Sequence, residues 1–75
     1  MTQDTFIKTV RAVTDPKGVH LSGSQESKLH ALARQYSAGQ TDVAEAVETL
    51  KSIFADASAL GRHEYADIEK RLERY

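Results

Sequence analysis

Histidines, carboxylates and hydroxyls are the side chains from which this sequence could build a reactive centre. His20, His30 and His63 are its three imidazoles. A metal held on one helix needs two histidines four residues apart with a carboxylate between them, and no pair here meets that spacing. His20 stands between Val19 and Leu21, so it is expected to point outward from a short extended link. The six serines fall in turns or on helix surfaces, and none sits in the Gly-x-Ser-x-Gly elbow that exposes a nucleophile. Ser22-Gly23-Ser24 reads as helix capping. Gly18 and Gly23 bracket a loop beside Lys17, but no Gly-Lys-Ser/Thr run follows to cradle a phosphate. The chain has no cysteine, which removes thiolate zinc sites and cysteine nucleophiles. Paired carboxylates need a cleft that excludes water, which short helices rarely build. The expectation is a protein that is not an enzyme and needs no metal or cofactor.

The remaining chemistry is that of contact. Glu45, Glu48 and Asp56 lie opposite an apolar stripe, and Ala44, Ala55 and Ala59 fall beside them. Small side chains let a second helix come close, and acids around them pair with Lys or Arg on a partner. The plain alternative is a solvated face filled with alanine for its helix propensity. Tyr36 and Tyr75 are further candidate anchors, because tyrosine combines apolar area with a polar tip. The expected partner-binding set is therefore Glu45, Glu48, Asp56, Ala55, Tyr36 and Tyr75, against a protein with a basic surface.

Four helices are needed to position these residues. Phe6, Val10 and Val13 share one face of a helix from about Gln3 to Thr14, with Ile7 at its edge. Asp15-Pro16-Lys17-Gly18 ends it. Val19 and Leu21 should dip into the core. Ser22 and Gln25 then stand in capping-box register at the head of a second helix, which carries Leu29, Leu32, Ala33 and Tyr36 and stops at Gly39. Asp42 caps a third, whose stripe of Val43, Ala46, Val47, Leu50, Ile53, Phe54 and Ala57 spans four turns until Leu60 and Gly61 close it. The fourth runs from about Arg62 to Arg74, with Tyr65, Ile68 and Leu72 on one face. The predicted fold is all-α, a single domain over residues 1–75. Three main helices and a shorter or less buried one pack around Leu29, Leu32, Val43, Val47, Leu50, Ile53, Phe54, Tyr65, Ile68 and Leu72. A dimer of helical hairpins is the alternative.

Charge narrows the function further. The net charge is −1 over 75 residues, with 10 bases against 11 acids, and the isoelectric point is near 6.3. Nucleic-acid binders gather a basic stripe to displace counterions from phosphate, and no such stripe stands out. The second and third helices have the layout of a helix-turn-helix. Yet the would-be recognition helix opens with Asp42, Glu45 and Glu48, where phosphates and base edges should lie. Apolar runs are too short for a membrane span, and the opening residues lack a basic-then-apolar leader, so a cytoplasmic location is expected. These features favour a small regulator or inhibitor that occupies a partner protein's surface. A helix-turn-helix-like DNA-binding regulator and a homo-oligomeric structural element, such as a homodimer, are the alternatives.

Overall fold

The computed structural model describes residues Met1–Tyr75, arranged as four α-helices and one 3-10 turn without strands. Helix α1 spans Gln3–Thr14, α2 Gly23–Ser37, α3 Val43–Ile53 and α4 Arg62–Glu73, with the 3-10 turn at Asp15–Lys17. The chain is a small all-α bundle measuring 29 × 25 × 18 Å. No helix is long and apolar enough to cross a membrane.

Each start signal in the sequence is used locally. The Thr2 hydroxyl accepts from Thr5 N at 3.1 Å. Ser22 Oγ accepts from Gln25 N at 3.2 Å, while Gln25 Oε1 accepts from Ser22 N at 2.9 Å, which completes a capping box. Asp42 Oδ1 accepts from Glu45 N at 2.8 Å. Gly61 has no side chain to offer, so at the head of α4 only the return bond forms, from Gly61 N to Glu64 Oε1 at 2.9 Å. Such bonds satisfy amides that have no partner inside the helix.

The stops are glycines with positive φ. Gly18 lies at φ 71° and Gly39 at φ 73°. At the end of α2, Gly39 N donates to Tyr36 O at 3.1 Å and Gln40 N to Gln35 O at 2.9 Å. That bond pair is the Schellman motif, whose left-handed residue penalises any Cβ. Gly18 and Val19 donate in the same pattern to Asp15 O and Thr14 O.

Helix α3 is shorter than its apolar stripe implies. It ends at Ile53, and Phe54 leaves the helical region at φ −99°, ψ 22°. Continuing the helix would require Ala57 N to bond Ile53 O. Instead the Gln25 side chain donates to Ile53 O at 3.0 Å, and Ala57 N turns back to Phe54 O at 2.9 Å. A residue near the start of α2 therefore satisfies a carbonyl that the end of α3 leaves free. Residues 54–61 form turns that carry Phe54 and Leu60 into the core at 1% and 8% exposure.

The helices form a ring. α1 packs on α2, α2 on α3, α3 on α4 and α4 on α1, while the backbones of the diagonal pairs do not approach each other. One apolar cluster fills the centre. Phe6, Val10 and Val13 enter from α1, Leu29, Leu32 and Ala33 from α2, Ala46, Leu50 and Ile53 from α3, and Ile68 and Leu72 from α4. The least buried helix is α4, with two residues in the cluster, while Phe6, Val10 and Val13 of α1 join the core that was expected without them. Val43 and Tyr65 pack against the cluster only half-buried, and Val47 is buried outside it. Val19 and Leu21 lean on the cluster while His20 is exposed.

Candidate functional site

The six candidate residues do not come together. Glu45 and Glu48 share one exposed side of α3, and Asp42 precedes them by one turn. Ala55 and Asp56 lie in the turns after α3 because the helix stops at Ile53, so the expected acidic and alanine faces do not continue past it. Ala44 is exposed on α3, whereas Ala59 belongs to the turns. Asp56 lines a depression against the loop of Lys17 and His20 instead. Glu45 is held by Thr41 Oγ1 at 3.3 Å, and Glu48 pairs with Lys51 at 3.7 Å.

Tyr36 is half-buried against the core. Its ring lies 4.9 Å from that of Phe6, tilted by 36°. Burial, and secondly the nearby Asp42 carboxylate, push the Tyr36 phenol above its usual pKa. Burial and then Glu64 do the same to Tyr65, whose ring also lies 6.0 Å from the Lys51 ammonium. A folded-state pKa above the unfolded value of about 10 means the native state holds the phenolic proton more tightly. The stability this contributes is complete below that unfolded value and is lost as pH rises through the folded one. Thermal melts of the wild type and Tyr36→Phe check this. The difference in Tm between them is expected to change in the variant's favour above about pH 10 and to stay level from pH 6 to 9.

The join between α1 and α4 forms a different surface. A groove of about 360 Å³ runs along it. Thr5, Thr9 and Ala12, at i, i+4 and i+7, place three small side chains on the flank of α1 that turns towards α4. Thr9 is nearly buried, and its hydroxyl donates to Thr5 O at 2.7 Å. Lys8 borders the groove from α1, and Arg71, Arg74 and Tyr75 border it from the other side. Glu69 and Glu73 project on the opposite flank of α4, and no carboxylate side chain lines the groove itself, although Asp4 and Asp67 stand at its rim. Asp4 reaches Lys8 at 3.0 Å and Asp67 reaches Arg71 at 3.0 Å, both as exposed pairs. Arg74 makes no ion pair. Tyr75 is 74% exposed. Of the six candidate residues, Tyr75 alone belongs to this groove. The signal that marks the rest is the small-residue flank of α1 beside the Phe6/Val10/Val13 stripe, together with two arginines one turn apart on α4.

The fold and this surface define the class: a small four-helix domain with a cationic groove along one helix pair. No family model, curated protein or solved structure matches the chain. The three histidines are exposed and distributed over a loop and two helices. Nowhere do three His, Asp or Glu side chains gather as a metal ion would require.

Proposed function

We propose that the chain is a non-enzymatic protein-binding module, a small regulator or inhibitor that covers a partner's surface, and that the α1/α4 groove is its principal contact. The observation that carries this is the groove's charge. Three of its seven lining residues are cations and none is an acid; Asp4 and Asp67 at its rim pair with Lys8 and Arg71, which leaves Arg74 as the one unpaired cation. Arginine and tyrosine are the residue types that most often dominate binding energy at interfaces. Here Arg74 is unpaired and Tyr75 is exposed beside it. A partner segment presenting carboxylates at helical spacing would displace the weak exposed pairs of Lys8 and Arg71 and engage Arg74 directly. Glu45 and Glu48 offer the opposite polarity on α3, a secondary contact for a basic surface.

Amide chemical shifts test this reading. Two synthetic helical peptides serve as probes, one carrying Glu at i and i+3 and the other Gln at the same positions. At low salt the Glu peptide is expected to shift the amides of Lys8, Thr9, Arg71, Arg74 and Tyr75, with the shifts fading at high salt. The Gln peptide is expected to leave them in place. No localised shift with the Glu peptide overturns the proposal. Shifts with a short DNA duplex but not with the peptide would replace it with a nucleic-acid role.

A further inference from the structure

We infer that the acidic segment seated in the α1/α4 groove is the start of α3 from a second copy of this chain. This rests on reading the groove as a protein-docking site and names its occupant. Asp42, Glu45 and Glu48 follow one another at intervals of three residues and are all exposed. Arg71 and Arg74 repeat at the same interval on the facing surface. Three residues of helix rise about 4.5 Å, so Glu45 and Glu48 on one copy match the spacing of Arg71 and Arg74 on the other. Glu45 and Glu48 stand on α3, while Arg71 lies in the last turn of α4 and Arg74 caps its end.

Two further features favour a second copy over an unrelated acidic protein. The net charge of −1 leaves almost no overall repulsion between copies, while Glu45 and Glu48 stand on α3 and Arg71 and Arg74 at the end of α4. The groove lies between α1 and α4 and the acidic edge on α3, so each copy presents both a donor and an acceptor surface. Such an arrangement joins copies head to tail, and association continues beyond two unless the geometry closes a ring. The contact is mostly ionic and exposed, so it weakens as salt rises.

Sedimentation equilibrium, from micromolar to millimolar chain at low and high salt, tests the inference. The mass of the wild type is expected to rise above 8.3 kDa with concentration at low salt, to pass the dimer, and to fall back at high salt. The variants Glu45→Lys/Glu48→Lys and Arg71→Glu/Arg74→Glu are each expected to remain monomeric alone. Mixed in equal amounts at low salt, they are expected to associate again, since the intact groove meets the intact acidic edge and the acidic groove meets the lysine edge. Arg71→Glu places a second acid beside Asp67 and can loosen α4. Arg74→Glu alone, at a side chain without an ion pair, is therefore measured as well, with circular dichroism confirming each fold. A wild type that stays monomeric at every concentration, or variants that associate as it does, overturns the inference. If the wild type is monomeric while the Glu peptide still shifts the groove amides, the second copy is excluded and the docking site stands. If neither is seen, both fail.

Discussion

Replacing Phe6 by alanine is expected to cost about 3–5 kcal/mol, the range for removing a fully buried aromatic side chain. Phe6 is 0% exposed, and its ring leans on Tyr36 at 4.9 Å, so the substitution opens a cavity and frees a second ring. A domain of 75 residues has a total stability of about 4–11 kcal/mol. The variant is therefore expected to lose from about a quarter to all of the wild-type stability. Urea denaturation followed by circular dichroism checks this, with Phe6→Leu as a milder companion that keeps most of the volume. A loss below about 1 kcal/mol for Phe6→Ala would mean that α1 is not seated in the core as described.

Phe54→Ala is expected to be about as damaging, again about 3–5 kcal/mol, although Phe54 lies just past the end of α3 rather than within it. Its neighbour separates the two accounts of this region. Ala55 is exposed in a turn, so Ala55→Gly is expected to change stability by less than about 0.5 kcal/mol. Inside a continuing helix the same change would cost about 1 kcal/mol. The same urea titration measures both variants. A costly Ala55→Gly would show α3 running on in solution, and a harmless Phe54→Ala would remove that ring from the core.

The contrast marks where the sequence was legible. The boundaries of α1 and the head of α2 were readable because their signals are local. Thr2, the Ser22/Gln25 box and the glycines at 18 and 39 act on backbone within a few residues of themselves. The end of α3 was not readable in that way. The apolar period continues through Phe54 and Ala57, whereas the helix ends at Ile53, whose carbonyl takes the Gln25 amide from a distant part of the chain. Neither periodicity nor capping registers such a bond. The same cause dispersed the expected contact surface. Ala55 and Asp56 share a face with Glu45 and Glu48 only if α3 continues. The packing of Tyr36 on Phe6 is likewise a matter of tertiary structure. The cationic groove needs two helices side by side, and interleaved acids on α4 conceal it in the linear sequence. Helical geometry then sorts Arg71 and Arg74 from Glu69 and Glu73.

The ring of helices has a kinetic meaning. Three of its four joins link neighbours along the chain, and these need only short loops to close. The fourth, α1 to α4, must bring together segments separated by all of α2 and α3, and so bears the largest loop-closure entropy. A join of that kind is expected to form after the local pairs, and interactions made late act mainly on the rate of unfolding. The cationic groove lies along that join. An occupant touching both helices would therefore serve as a clasp, prolonging the life of the closed ring while leaving the speed of its assembly almost unchanged.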